Sequence, residues 1–255
     1  MAALAIALLL HGTARADWRV EEQSNAIPLG HGAWEVNKHL SNHSDSAELR
    51  LIYFDARRCA LRVVDQPSAS RSDGVTLDRA MRSSHALAGC NGSYFTESFA
   101  PMGLQISNGK RTGSYERNPL LTGMVVVKHG RPFIFWRDEL TNYSDVTEAL
   151  QAGPRLVNAG KVVEGLEHYK SRPRTFVITD NRGHFAFGTC RSVTLAQMAE
   201  ILASTRVIKE IPVERALNLD GGSSTGLWFR DDHGEEHYEK EYSTVRNFLA
   251  ITARN

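Results

Sequence analysis

The sequence predicts an α+β fold, a single domain built on a mixed, largely antiparallel sheet with a few packed helices. Three observations predict it. Segments that read as strands outnumber those that read as helices, and most neighbouring strands are joined by turns shorter than the dozen or more residues a parallel crossover needs. The third is size: 255 residues, 42% hydrophobic and 23% charged, suffice for a sizeable core and favour one domain over two.

In chain order, residues 1–16 read as a secretory signal peptide. An apolar run from Ala2 to Leu10 is followed by Ala14-Arg15-Ala16, an A-x-A pattern that places cleavage before Asp17. The expected location is therefore periplasmic or secreted. No later segment approaches the ~18 apolar residues of a transmembrane helix. Residues 17–46, rich in Ser, Asn and His, read as a loosely tied N-terminal arm, and residues 47–255 as the folded domain.

From Ala47, AELRLIYFDARRCALRVVD alternates and turns at Asp55-Ala56-Arg57-Arg58, which predicts two paired strands. TLDRAMRSSHALAG puts Leu77, Ala80, Met81 and Ser84 on one helical face, with Gly89 able to end the helix. Three hairpins are expected next, turning at His129-Gly130, near Asn158-Ala159-Gly160, and at Asp180-Asn181-Arg182-Gly183. A second helix starts at Thr194, where Thr194 and Gln197 have capping-box spacing and Leu195, Met198, Ala199 and Leu202 share a face. ALNLDGGSST reads as a strand ending in a carboxylate and a donor-rich turn. A polar excursion over 230–241 and a last strand, VRNFLAIT, complete the chain.

Thirty basic residues against twenty-nine acidic leave a net charge of +1, so no overall field draws nucleic acid or an anionic membrane. Any anion must be recognised locally. Cysteines at 59, 90 and 190 exclude a disulfide framework and the usual zinc spacings; one bridge plus one thiol, or three buried thiols, both fit.

The turn Asp220-Gly221-Gly222-Ser223-Ser224-Thr225 combines glycine-permitted backbone donors, which can form an anion nest, with hydroxyls and an acid able to serve as base or nucleophile. Its plain alternative is an Asp-Gly hairpin turn. Arg155 in QAGPRLV and Arg174 in SRPRTFVI each follow a proline where a strand starts, and a guanidinium fork suits phosphate oxygens. NGSYF, from Asn91 to Phe95, offers an amide and two aromatics for a sugar, or a strand entry with core aromatics. It is also one of three N-glycosylation sequons, with Asn42 and Asn142 heading the others.

Two further patterns lack their structural context. Gly222-Ser223-Ser224-Thr225-Gly226 matches G-x-S-x-G, but a serine nucleophile elbow needs a helix after the serine, whereas GLWFR reads as a strand. His233-Gly234-Glu235-Glu236-His237 spells H-x-x-E-H, yet its glycine and its place after a strand make it an exposed turn rather than a zinc helix.

With NGSYF, QAGPRLV, RTFVI with Gly188, and LNLDGGSST in this order, residues 85–253 resemble the phosphodiester glycosidase family. Two departures stand out: Gly221-Gly222-Ser223 where the family more often has three glycines, and Phe176 where a small residue is common. The resemblance implies an exported hydrolase that cleaves the anomeric C–O bond of a sugar-1-phosphodiester, giving free sugar and a phosphomonoester. It implies Asp220, Arg174 and Arg155 as catalytic, and a substrate pocket of Asn91, Gly92, Tyr94, Phe95, Thr175, Asn218, Gly221, Gly222, Ser223 and Ser224. No cofactor is implied; a divalent cation held by Asp220, Asn218 and a phosphate is left open. Glycosidases usually use two carboxylates, and Asp180 and Glu214 are the candidates for the second. The alternatives are a non-catalytic binding module for phosphorylated envelope glycans and a serine hydrolase using Ser224.

Overall fold

The computed structural model describes residues 17–43 and 45–254, so the expected signal peptide at 1–16 lies outside the described residues. Among the described residues, nineteen strands and two helices follow in chain order. They are β1 (Arg19–Gln23), β2 (Ile27–Gly30), β3 (Ala33–Asn42), β4 (Asp45–Asp55), β5 (Cys59–Asp65), α1 (Leu77–Ser83), β6 (Ala88–Asn91), β7 (Gln105–Ser107), β8 (Lys110–Arg111) and β9 (Gly123–Lys128). Then come β10 (Arg131–Trp136), β11 (Val146–Ala152), β12 (Arg155–Asn158), β13 (Lys161–Val162), β14 (Arg172–Thr179), β15 (His184–Val193) and α2 (Leu195–Ala203). The chain closes with β16 (Arg215–Asn218), a single 3₁₀ turn at Gly222–Ser224, β17 (Leu227–Arg230), β18 (Glu236–Glu239) and β19 (Asn247–Ala253).

The strands form one nine-stranded sheet, ordered β1-β3-β4-β15-β14-β16-β12-β13 with β2 on β3, and two five-stranded sheets, β10-β9-β11-β7-β8 and β18-β17-β6-β19-β5. The antiparallel expectation holds, but α+β overstates the helical part: 46% of the described residues are strand and 8% helix. The large sheet is covered on both faces. Period-two alternation sends Ile52, Phe54, Val177, Phe185 and Phe187 into a core shared with both small sheets, while Leu51, Tyr53, Phe176, Ile178 and Ala186 pack on α2.

Several expectations change. The stretch read as a loosely tied arm contributes three strands; β3 pairs with β4 from Ala33 to Asn42, and Trp18, Val36, Leu40 and Lys38 are buried. The strands on either side of Asp55 do not pair with each other: β4 joins β15 and β5 joins β19, in different sheets. The first helix stops at Ser83, and Gly89 lies in β6 because Met81 packs on it. A Cβ there would meet the Met81 sulfur at 2.0 Å and Leu249 O at 2.9 Å. The three hairpins form as β9–β10, β12–β13 and β14–β15. The capping box at Thr194 forms with both hydrogen bonds. All three cysteines are free and buried.

Candidate active site

Register builds the site. Phe176 pairs with Asn218, so the antiparallel course of β14 and β16 carries Arg174 to the level of Asp220, just past the end of β16. Leu219 N donates to Thr175 O at 2.8 Å, continuing the ladder to that point. The β6 end arrives from the third sheet, and Asp220 N donates to Gly92 O at 3.0 Å.

Asn91 clamps these ends together. Its Nδ2 donates to Asp220 O at 2.7 Å, while its Oδ1 accepts from Thr175 Oγ1 at 2.7 Å and Gly226 N at 3.1 Å. Both amide atoms are thus engaged in shaping the Asp220 turn, and Asn91 is buried. Gly92 is required by close approach, since a Cβ there would stand 2.0 Å from Asn247 Oδ1. Tyr94 Oη donates to Gly153 O at 2.6 Å, and Asn218 Nδ2 donates to Tyr94 Oη and Gly153 O, both at 2.9 Å. Among the described residues, Asn218 Oδ1 is a buried acceptor without a partner. Phe95 turns away, edge-on to Phe99 at 5.3 Å and under Arg71.

The Asp220 turn leaves the sheet through Gly221, whose Cβ would stand 2.9 Å from Pro173 O and 3.8 Å from Arg174 Cδ. Gly222 has φ +65°, a left-handed value that favours glycine. Gly221 N donates to Asp220 Oδ1 at 2.8 Å, and the Ser224 hydroxyl also donates to this carboxylate. Burial nevertheless dominates and pushes the Asp220 carboxyl above its ordinary value, against those two donors. Ser223 faces outward, where its Oγ meets Ser243 Oγ at 2.8 Å.

Arg174 lies beside this turn with its side chain 12% exposed. Burial pulls its guanidinium down from the ordinary value, opposed chiefly by Glu167, whose Oε2 accepts from Nη2 at 3.1 Å. Tyr94 connects the charges: burial raises its hydroxyl, the Asp220 charge raises it further, and Arg174 lowers it. Arg155 goes elsewhere. Its guanidinium carbon lies 5.5 Å from the Trp136 ring centre, a ring shared with Arg215 at 4.9 Å. Arg215 is in turn paired with Glu139.

Neither expected second carboxylate reaches the site. Asp180 sits at the opposite end of β14, where it accepts from Arg182 N and His184 N within its own turn and meets His184 Nδ1 at 2.7 Å. Glu214 is on the same side, its backbone N donating to Thr179 O.

The family model for phosphodiester glycosidases matches residues 84–252. The chain belongs to the phosphodiester glycosidase family. Among solved structures it is similar to the zebrafish N-acetylglucosamine-1-phosphodiester α-N-acetylglucosaminidase catalytic domain auto-inhibited by its pro-peptide. That likeness has TM-score 0.65 and 16% identity, over 96% of this chain and 90% of that one. A hypothetical Synechocystis protein follows at TM-score 0.60 and 14% identity, over 88% of this chain and 62% of that one. A Burkholderia pseudomallei K96243 protein has TM-score 0.51 and 12% identity, over 84% and 74%. At these identities the likenesses show the fold. No curated protein matches.

The phosphodiester glycosidase region spans every residue of the clamp and turn. The serine-hydrolase pattern falls away because Ser224 ends a 3₁₀ turn that runs into β17 rather than a helix, and it donates to Asp220. The H-x-x-E-H stretch is a hairpin turn with His233 89% exposed. A different trio there, Asp231, Glu235 and His237, has ligand atoms within 4.8 Å of one another and is the place among the described residues where a cation could be held. Sequence reasoning missed Glu167, which lies in an irregular segment with no motif; only the fold places it on Arg174. It also gave Asn91 and Thr175 to the substrate, whereas their hydrogen bonds shape the turn.

Proposed function

We propose that the protein hydrolyses the bond between the anomeric carbon of a sugar and a phosphodiester, releasing free sugar and a phosphomonoester. The observation that carries this reading is the half-buried Asp220 carboxylate, raised in pKa and anchored by the Asn91 clamp, on a turn whose Gly221 lies against the largely buried Arg174 side chain in a chain of this family. A carboxylate with an elevated pKa is a stronger base than an exposed one. Asp220 activates a water for attack at the anomeric carbon or stabilises the positive charge that develops there. Arg174 and the Gly222 and Ser223 amides of the turn hold the phosphate.

One carboxylate suffices on chemical grounds. The phosphomonoester leaving group has a second pKa near ~6, so at neutral pH it departs as an anion without a strong general acid. What it needs is a cation positioned in advance. We place the activity outside the cytoplasm on the strength of the Ala2–Leu10 run and Ala14-Arg15-Ala16. A mature mass that begins at Asp17 in the periplasmic or supernatant fraction supports that location; retention of residues 1–16 overturns it.

The test is an assay of the purified protein on a panel of sugar-1-phosphodiesters. Asp220→Asn is expected to lower free-sugar release by about a hundredfold or more while keeping the native circular dichroism spectrum. Undiminished turnover by the folded variant would falsify the role of Asp220. Saturable binding without turnover by the wild type, abolished in Arg174→Ala, would instead establish a phosphoglycan-binding module.

A further inference from the structure

Arg174 already holds an anion in the free protein. Glu167, between β13 and β14, accepts from Arg174 Nη2 at 3.1 Å, from Tyr169 N at 2.5 Å and from Lys170 N. Two successive backbone amides and a guanidinium form the kind of cradle that phosphate oxygens occupy. The Glu167 side chain is 19% exposed and that of Arg174 12%, so both are largely covered. Arg174 is otherwise set against carbonyls, with Nη2 on Lys170 O at 2.7 Å and Nε on Val193 O at 3.3 Å. Its Nη1 has no protein acceptor among the described residues.

We infer that Glu167 is a specificity-determining residue of this site: it stands where a phosphate oxygen binds, admits a singly charged phosphodiester and rejects the doubly charged phosphomonoester formed by hydrolysis. This rests on the reading of Arg174 as the phosphate-binding cation. The reaction makes the distinction matter. Water adds to the anomeric carbon, the C–O bond breaks with its electron pair passing to the phosphate oxygen, and the products are sugar, phosphomonoester dianion and one proton. The anion at Arg174 therefore changes from one negative charge to two.

Charge around the recess determines how each anion fares. Arg174 and Glu167 cancel, Arg172 adds a positive charge that acts on Arg174, Lys170 lies against the Tyr169 ring, and Asp220 acts through Tyr94. A monoanion can slip onto Arg174 at small electrostatic cost, but a dianion meets one further unit of repulsion from Glu167 at close range. In a partly buried site such a unit is worth about tenfold in affinity or more. Glu167 thus speeds product departure and discriminates against phosphomonoesters as competitors. Burial pushes its carboxyl up, but the Lys170 and Tyr169 amides with Arg174 outweigh that and hold it below the ordinary value, so it stays charged at the pH of the test.

The test titrates methyl phosphate and dimethyl phosphate into the full chain, wild type and Glu167→Gln, following the Gly221, Gly222 and Lys170 amides by NMR at about pH 5 and about pH 8. The glutamine keeps an oxygen for the Tyr169 and Lys170 amides. Wild type is expected to bind methyl phosphate more weakly at the higher pH, where it is a dianion. Glu167→Gln is expected to tighten both probes, and methyl phosphate at about pH 8 by about tenfold more than dimethyl phosphate. Dimethyl phosphate does not titrate and controls for ionisation of Asp220. Equal changes for both probes, or none, overturn the inference and leave Glu167 an anchor for its segment. If neither probe moves these amides in either protein, the anion site is wrong and the phosphate half of the proposed function falls with it. If the probes behave as expected but no sugar phosphodiester is turned over, only the hydrolytic reading fails.

Discussion

Arg155 and Arg174 look alike in the sequence, each following a proline at the start of a strand, yet the fold gives them different surroundings. Arg174 is the third residue of β14, which pairs directly with β16 in a register that delivers it to the Asp220 turn. Arg155 opens β12 on the other side of β16, opposite Leu217, with a register shift before Val157. Its side chain leaves toward Trp136 of β10 and stacks there with Arg215. A local motif therefore specifies a guanidinium at a strand start; the neighbouring strand decides what that guanidinium faces.

The two arginines separate most widely in kinetics. Arg174→Ala is expected to lower kcat/KM on a sugar-1-phosphodiester by about a hundredfold or more, as loss of one preorganised charge-stabilising donor does, while Arg155→Ala changes it by less than about threefold. Equal losses would mean that Arg155 swings into the site when substrate binds. A second measurement separates clamp from catalyst. Asn91→Ala leaves Thr175 Oγ1, Gly226 N and Asp220 O without their partner, and chemical denaturation should show it less stable by about 2–4 kcal/mol. Arg155→Ala, which removes a half-buried side chain stacked on an aromatic ring, should cost about 1 kcal/mol or less.

Smaller effects follow from Asp220 itself. Its folded pKa is raised, so its contribution to stability is fully present below the unfolded value of 3.8 and is lost as pH rises through the folded value. At neutral pH the ionised Asp220 is a net cost, and Asp220→Asn is expected to melt at a higher temperature than wild type at pH ~7 while losing activity. A lower melting temperature would show that the turn needs the charge. Activity of the wild type should fall on the acid side as Asp220 protonates, at a pH above the ordinary aspartate range. Ser224→Ala removes a donor that lowers this pKa and should move that limb to higher pH. No movement of the limb would mean that another group sets it.

Parts of the molecule were legible because their cause is local. The capping box at Thr194 needs only two side chains three residues apart, and the β14–β15 turn needs only Asp180 to Gly183 between strand-forming runs. The first helix was overextended because Gly89 resembles a helix stop until Met81 is seen lying across it in β6. Residues 17–46 read as an arm because their burial comes from pairing with β4 and from partners such as Glu210, which binds the buried Lys38 at 2.7 Å. Asn91 read as a sugar ligand because an amide beside aromatics fits one. Its partners, Thr175, Asp220 and Gly226, are too distant in the chain for local reasoning to supply.

Residue order, periodicity and turn chemistry are enough to show the antiparallel strand-and-turn pattern, the donor-rich turn after Asp220 and the family. That Asn91 clamps this turn, that Arg174 rather than Arg155 lies beside it, and that Glu167 holds Arg174 follow from the folded arrangement alone. Those outcomes depend on register between strands and on desolvation, which arise when distant segments come together.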